Sequence, residues 1–266
     1  MGLSFVSCYY PTFRWLNYKY STPDSYYSHG YLIPFVVLYL IYDKRHDLKK
    51  AAIGTNLYGL LGIAMALLIH VLGVFSNTHF ISGFSIILFL ISCSFYLYGT
   101  VFTKHLLFPL LYLIFMMPIP NNYLTLVALP SKSAATWSAL KILDLLNIPY
   151  LRDGFAIVLS NSTFIVGAPC NGLRSLISFF ALGFLIIYLR GLTILQSLLL
   201  LAIIPFLAVL MNGIRIVILL LISIFYGQEA ASPESFLHDA SGLFVFGIGL
   251  VLMMVVIRVM NAKESS

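Results

Sequence analysis

Charge is scarce in this chain of 266 residues: only 9% of them are Asp, Glu, Lys or Arg, against roughly a quarter in ordinary soluble domains. None of these four residue types occurs between Ala51 and Thr103. Hydrophobic residues make up 61% of the sequence, which is more apolar surface than a soluble fold of this length can bury. The same composition excludes a disordered chain. We therefore expect an all-α polytopic membrane protein.

Cysteine is also scarce. The three cysteines, Cys8, Cys93 and Cys170, are an odd number with no two close in sequence, so neither a disulfide framework nor a metal site built on Cys pairs is expected. The motifs of serine hydrolases, zinc proteases, P-loop enzymes and dinucleotide-binding enzymes are absent. The basic residues are dispersed rather than gathered into a patch for nucleic acid. The sequence accordingly predicts no metal, no cofactor and no nucleic-acid partner.

Apolar runs long enough to cross about 30 Å of hydrocarbon as helices recur along the chain. The seven predicted spans cover roughly 28–42, 51–74, 81–98, 101–118, 171–189, 193–226 and 238–258. Lys and Arg collect in cytoplasmic loops, which orients the spans. With the loop Asp43–Lys50 inside, the inner bases are Lys44, Arg45, Lys49, Lys50, Lys104, Arg190, Arg258 and Lys263, and the outer bases are Arg14, Lys19, Lys132, Lys141 and Arg152. This excess predicts that the N-terminus lies outside and the C-terminus inside.

The segment 119–170 interrupts the spans and is predicted to lie on the outer, extracytoplasmic face. Its first half has the pattern of an amphipathic helix lying along the membrane interface. The polar side of this helix is Ser138, Lys141 and Asp144, and the apolar side is Trp137, Leu140 and Leu143. The β-rich runs Phe155–Leu159 and Thr163–Val166 predict a short hairpin, preceded by a turn at Asp153-Gly154.

The sixth span is too long for one perpendicular crossing, since it would extend about 50 Å as a helix. It must tilt, protrude or break, and Pro205 and Gly213 are the places to break. A single crossing puts Arg215 near the outer boundary. Cys170 and His238 begin the fifth and seventh spans on the same side. The topology therefore predicts that Cys170, Arg215 and His238 lie at one depth.

These residue types suit nucleophilic catalysis, although each also has a plainer interpretation. Cys170 opens a helix whose N–H groups and dipole favour a thiolate, but a membrane Cys is more often a packed apolar residue. Arg174 and Arg215 cost about 2.5–3.5 kcal/mol each at a helix centre, so they have functional partners or extend to the outer headgroups. Arg174, one turn from Cys170, could stabilise a thiolate, and Arg215 could donate to an oxyanion. His238 is suited to general acid and base catalysis, or is simply solvated. His70 and His79, beside an outer loop, and His105, beside an inner one, are interpreted as interfacial.

Three short blocks follow one another in a set order: Gly167-Ala-Pro-Cys170-Asn-Gly-Leu-Arg174-Ser, Asn212-Gly-Ile-Arg215-Ile, and His238 opening the last helix. Together they resemble the exosortase/archaeosortase family of membrane transpeptidases. The segments Tyr27-Ser-His-Gly-Tyr-Leu-Ile-Pro34 and Phe115-Met-Met-Pro-Ile-Pro120 also look like motifs of that family, so the resemblance covers nearly the whole chain as one domain, 1–266. Family members often have Ser where Asn171 stands. They also usually carry a full hydrophobic helix before Tyr27, for which residues 1–10 are too short, so seven or eight spans are expected.

The resemblance implies a bacterial exosortase-like cysteine peptidase. The implied catalytic residues are Cys170, Arg215 and His238, supported by Arg174, Asn212 and Asn171. Such an enzyme would cleave a C-terminal sorting signal of the PEP-CTERM type from exported proteins through a Cys thioester and transfer them to an acceptor. Its partners would be exported proteins with that signal and a transmembrane helix, and the lipid bilayer. Two other classes stay open: a transporter or channel with Arg174 and Arg215 along an anion path, and a non-catalytic scaffold for surface-polymer export. Neither explains why Cys, Arg and His share one depth.

Overall fold

The structure, a computed structural model, describes residues 2–22, 25–159, 163–167 and 172–264, which form two compact units that divide after Pro120. Among these described residues, five helical segments are long and apolar enough to cross a membrane: Tyr58–Phe75, His79–Met116, Leu173–Arg190, Ile194–Tyr226 and Phe236–Met260. The predicted all-α polytopic membrane fold is confirmed, with one small sheet added to it. The single domain over 1–266 stays a prediction.

The N-terminal unit consists of six helices among its described residues. They are α1 (Gly2–Cys8), α2 (Tyr10–Ser21), α3 (Ile33–Asp43), α4 (Arg45–Lys50), α5 (Tyr58–Phe75) and α6 (His79–Tyr112). Short 3-10 turns cover Ser28–Tyr31 and Leu113–Met116.

The longest helix of this unit, α6, folds back on itself at Gly99. The φ of Gly99 is +78°, in the left-handed region that glycine adopts without steric cost. The two limbs on either side are antiparallel neighbours, because Ser94 Oγ and Thr103 Oγ1 are hydrogen-bonded at 2.9 Å. Further from the bend, a Cβ added at Gly83 would lie 2.7 Å from Met117 Sδ. The third and fourth predicted spans are therefore the two limbs of one helical hairpin.

The first two predicted spans differ from the structure at their N-terminal sides. Residues 28–42 contain a 3-10 turn and the 11-residue helix α3, whose rise of about 16 Å is short of the roughly 30 Å hydrocarbon thickness. The predicted span 51–74 becomes helical only at Tyr58. Before it, the backbone runs extended, with Gly54 N–H donating to the Tyr98 carbonyl at 3.2 Å. Gly54 disfavours a helix in this segment, and a prediction based on hydrophobicity alone does not take helix propensity into account.

The interpretation of His70 as an interfacial residue was wrong, because its side chain is only 5% exposed. Its Nε2–H donates to the Cys8 carbonyl at 3.1 Å, which leaves Nδ1 to accept from Ser82 Oγ at 2.7 Å. Ser82 Oγ is also hydrogen-bonded to Thr12 Oγ1 at 2.5 Å. Buried polar groups require such partners. This network fastens α1 and α2 to α5 and α6.

The C-terminal unit carries four helices and three strands among its described residues. They are α7 (Asn121–Leu145), β1 (Leu151–Asp153), β2 (Ala156–Val158), β3 (Thr163–Ile165), α8 (Leu173–Arg190), α9 (Ile194–Tyr226) and α10 (Phe236–Glu264). A 3-10 turn at Glu229–Ala231 connects the last two helices.

The predicted hairpin is confirmed and gains a third strand. β2 pairs antiparallel with β3, with Ile157 opposite Phe164. β1 pairs antiparallel with β2 across the turn at Asp153-Gly154, where Gly154 has a φ of +57°. Ile157 is fully buried in a core shared with α7 and α9, so the sheet covers one end of these two helices. The tip of the hairpin, residues 160–162, lies outside the described residues.

The helix α9 is continuous over 33 residues, so of the three alternatives the break at Pro205 or Gly213 does not occur. It starts with a capping box, in which Thr193 and Gln196 each bond the other's backbone N–H. The helix therefore fits the bilayer either by tilting from the membrane normal or by protruding beyond the hydrocarbon core.

The helix α7 packs along the second half of α9, and this contact corrects the predicted amphipathic pattern. A Cβ added at Gly213 would lie 2.8 Å from Ser138 Cβ, and Ser138 is buried at 9% exposure. Trp137, predicted on the apolar side, is 60% exposed. The other four residues follow the prediction, since Lys141 and Asp144 are exposed and Leu140 and Leu143 are buried. Ser138 is buried because a small residue lets two helices approach closely.

Candidate active site

Arg215 and His238 meet inside the C-terminal unit. Arg215 lies on α9 and is 6% exposed, and His238 is the third residue of α10 and is 3% exposed. Arg215 Nη2 donates to the backbone carbonyl of His238 at 3.3 Å. The two residues are 23 positions apart in sequence, so the contact depends on the packing of α9 against α10 and on the connection between them.

The hydrogen bonds of His238 define which ring nitrogen can act as a base. Its Nδ1 is 3.2 Å from the carbonyl oxygen of Ala231. A carbonyl only accepts, so Nδ1 carries the proton and Nε2 of the neutral ring carries the lone pair. Nε2 is buried and has no hydrogen-bond partner among the described residues. The backbone N–H of His238 donates to Ser235 Oγ at 3.1 Å, which holds the first turn of α10 in place. The ring is therefore oriented with a proton-accepting atom left for another group.

Two residues that the sequence analysis did not single out complete this arrangement. Ser241 Oγ donates to the His238 carbonyl at 2.7 Å, so that oxygen accepts from both Ser241 and Arg215. Gly242 leaves room for the guanidinium, because a Cβ added there would lie 3.0 Å from Nη2 and 3.1 Å from Cζ of Arg215. The sequence signal for both was the run His238-Asp-Ala-Ser-Gly242, in which His, Ser and Gly follow at helical spacings of three and four.

We expect Gly242→Ala to slow the reaction of this site about tenfold, because an added methyl group moves a guanidinium whose contact to His238 is already 3.3 Å long. Membrane abundance should change little, since only the end of a flexible side chain has to give. The matched control is Gly247→Ala on the same helix, where nothing lies within 4 Å of the added Cβ. If the site processes exported proteins, as the resemblance implies, the measurement is the rate of that processing by membranes containing each variant. Equal rates for the two variants would contradict a positioning role for Gly242.

The start of α8 lies against α9 one turn before Arg215. Gly172 caps α8 with a φ of +77°, and a Cβ there would lie 3.2 Å from Nδ2 of the buried Asn212. Both the backbone conformation and the space therefore favour glycine at this position. Arg174 follows on α8, is half-buried, and lies within electrostatic range of His238.

The structure brings two of the sequence-predicted site residues together. Arg215 and His238, which the sequence predicts only to share one depth, are in direct contact. Asn212 lies beside the first turn of α8, and Arg174 lies near His238. Cys170 and Asn171 lie outside the described residues. No group of three or more His, Cys, Asp or Glu side chains that could hold a metal ion occurs in the part of the chain that the structure describes.

Comparison with known families identifies the family of the chain. A family model described as Transmembrane exosortase (Exosortase_EpsH) matches residues 15–255 of the 266. The chain belongs to the transmembrane exosortase family. The match includes every candidate site residue from Cys170 to His238, together with Ser241 and Gly242. No curated protein and no solved structure matches the chain.

The two N-terminal segments that resemble exosortase motifs pack on each other within the N-terminal unit. The backbone N–H of Ile119 donates to Tyr27 Oη at 3.1 Å, and Tyr20 Oη donates to the Met116 carbonyl at 2.5 Å. Burial raises the pKa of both Tyr20 and Tyr27, so the two phenols stay protonated at physiological pH. Gly30 permits the contact, since a Cβ there would lie 2.6 Å from the Tyr20 ring. These motifs therefore have a structural role in joining two segments of the exosortase chain.

Proposed function

We propose that this exosortase is a cysteine peptidase and transpeptidase that acts at the outer face of the cytoplasmic membrane. It cleaves C-terminal sorting signals, of the PEP-CTERM type, from exported proteins. The observation that carries the proposal is the buried Arg215–His238 pair, with a base nitrogen of His238 left for another group. Cys170 precedes Gly172 by two residues, and Gly172 packs against Asn212, one turn from Arg215. A thiol, a general base and a fixed positive charge are the groups that acyl transfer requires.

The first half of the proposed reaction forms a thioester. His238 Nε2 takes the proton of the Cys170 thiol, and the thiolate attacks the scissile carbonyl of the sorting signal. The carbonyl oxygen becomes an oxyanion, which Arg215 stabilises with its guanidinium N–H groups and permanent charge. When the C–N bond breaks, His238 returns its proton to the leaving amine. The exported protein is then held as an acyl group on Cys170.

The second half releases the exported protein to an acceptor. His238 Nε2, again unprotonated, removes a proton from the incoming nucleophile, which attacks the thioester carbonyl. Arg215 stabilises the second oxyanion in the same way as the first. Collapse expels the Cys170 thiolate, which recovers the proton held by His238. The substrate's own transmembrane helix would lie in the bilayer beside the spans, which brings its cleavage site to the outer boundary.

The transport alternative makes a different demand on Arg215. A residue that lines an anion path has to face an aqueous passage, whereas Arg215 is 6% exposed, bonded to the His238 carbonyl and packed on Gly242. A guanidinium held in this way suits transient stabilisation of a charge brought to it by a reacting group. We therefore favour the peptidase over an anion channel.

The experiment that tests the proposal is the alkylation rate of Cys170 against pH, in membrane vesicles containing a variant that lacks Cys8 and Cys93. The thiolate is the reactive form, so a positively charged site should move the midpoint of the rate below about 8.5, the pKa of a free thiol. His238→Ala removes the proton acceptor and should move the midpoint back up towards that value.

The matched control is His105→Ala, which removes a histidine of the N-terminal unit and should leave the midpoint unchanged. A slow thiol with a midpoint near 8.5, indifferent to His238, would overturn the proposal. The measurement requires no knowledge of the substrate.

A further inference from the structure

A concave pocket of about 530 Å³ lies in the N-terminal unit, away from the residues of the proposed reaction. It is lined by Tyr10, Pro11, Arg14, Trp15, Tyr18 and His79. Five of these residues belong to α2, and His79 is the first residue of α6. Neither the exosortase motifs nor the proposed mechanism uses any of these side chains.

The pocket follows from the pattern of α2. Thr12, Leu16 and Tyr20 recur every four residues and are buried against the rest of the unit. On another face of the same helix, Tyr10 and Tyr18 are 61% and 64% exposed, with Arg14 exposed between them. The Trp15 ring extends towards His79, their ring centres 6.0 Å apart. The result is a recess lined mainly by aromatic and other ring-containing side chains, with one permanent positive charge on Arg14.

Arg14 supplies the charge of this recess. Within residues 2–22 and 25–120, Arg14 makes no hydrogen bond or ion pair. No carboxylate among the described residues lines the pocket. An exposed guanidinium flanked by aromatic rings presents its N–H groups and its charge to a ligand that supplies oxygen atoms and negative charge.

We propose that this pocket binds the phosphate-bearing headgroup of an anionic phospholipid in the outer leaflet. The guanidinium of Arg14 matches phosphate with its fork of N–H groups, and the His79 ring forms part of the wall. Tyr and Trp side chains favour the headgroup level, where their apolar rings contact glycerol and acyl carbons. A zwitterionic headgroup would bring an ammonium group towards Arg14, and no carboxylate among the described residues lines the pocket to receive it. The predicted topology puts Arg14 on the outer side. The inference does not depend on the proposed peptidase activity.

The protein contains two tryptophans, Trp15 and Trp137, so Trp137→Phe makes Trp15 the sole indole and a reporter inside the pocket. The full chain with this substitution is placed in nanodiscs of phosphatidylcholine, and brominated phosphatidylglycerol or brominated phosphatidylcholine is introduced at increasing mole fraction. We expect quenching of Trp15 to report association with phosphatidylglycerol about tenfold tighter than with phosphatidylcholine. Arg14→Gln should reduce that ratio to about one, because a charge-assisted contact is lost.

Lys19→Gln is the matched control, since Lys19 is a base on the same helix that does not line the pocket. It should keep the full preference for phosphatidylglycerol. An equal loss in Lys19→Gln and Arg14→Gln would mean that general helix charge, and not this pocket, attracts the lipid, and would overturn the proposal. Equal quenching by the two brominated lipids would overturn it as well. Excess inorganic phosphate should not relieve the quenching; if it does, the ligand is free phosphate and the lipid assignment is wrong.

Discussion

Replacing Cys170 by alanine is expected to abolish processing of exported proteins, with the rate falling on the order of 10³-fold or more. In the proposed mechanism the Cys170 thiolate forms the acyl intermediate, and His238 and Arg215 cannot substitute for a thiolate. The measurement compares the C-terminal peptides of exported proteins in cells whose only copy is the wild-type or the Cys170→Ala protein. Unprocessed C-termini should accumulate in the membrane fraction of the variant, and this readout identifies substrates at the same time.

Cys93→Ala is the matched control for that experiment. Cys93 is a partly buried residue of α6 in the N-terminal unit, so its loss removes a thiol of the same membrane protein without touching the proposed chemistry. Processing by this control should equal that of the wild type. Mature C-termini in cells that hold only Cys170→Ala at normal abundance would contradict the mechanism and favour the scaffold or transport alternatives.

The sequence could predict one depth for Arg215 and His238 because helix length, charge and topology constrain depth. A helix that begins at one membrane face advances about 1.5 Å per residue, so Arg215, about two-thirds of the way along α9, was predicted near the opposite membrane boundary. His238 begins the next helix after a short polar connection, which returns it to the same level. Depth alone does not specify rotation about each helix axis. Only the structure shows that Arg215 Nη2 contacts the backbone carbonyl of His238, at 3.3 Å, and not the imidazole side chain.

Residues whose role is to be small were the ones that sequence patterns misread. Ser138 counted as polar and was predicted to face water, yet it is buried where α7 approaches Gly213 on α9. Gly242 was not singled out, because nothing in a sequence tells which side chain occupies the space that a glycine leaves. The larger His70 was misread for a related reason, since its partners Cys8 and Ser82 come from other helices and could not be seen in the sequence. In each case the residue type was known and the side chain that packs against it was not.

The reversal in α6 was implied by the sequence, whereas the path of α9 was left open. Two apolar runs, 81–98 and 101–118, were each read as one span, so a reversal had to lie between them, and the bend at Gly99 lies there. Tilt, protrusion and a break at Pro205 or Gly213 were all open for α9. The break does not occur, although a proline inside a helix loses one backbone hydrogen bond and commonly kinks it.

Arg215→Gln is expected to lower the rate constant for processing by about 10²–10³-fold, the effect of losing one preorganised oxyanion donor. The glutamine amide is shorter and uncharged, so it neither reaches the His238 carbonyl nor offsets an oxyanion. Arg215→Lys restores the charge without the planar fork and should recover only part of the rate. The measurement is single-turnover cleavage in membranes at saturating substrate, which separates the chemical step from substrate binding.

Arg174→Gln is the matched control, because Arg174 is also an arginine within a span of the same unit but is only half-buried and follows the start of α8. Its loss should cost less than Arg215→Gln, since it affects His238 through space and not by a direct hydrogen bond. Membrane abundance and the total alkylation of Cys170 at high pH report whether each variant is folded. If Arg215→Gln, at normal abundance, weakened substrate binding and left the single-turnover rate unchanged, Arg215 would be a binding residue, and a different group would have to stabilise the oxyanion.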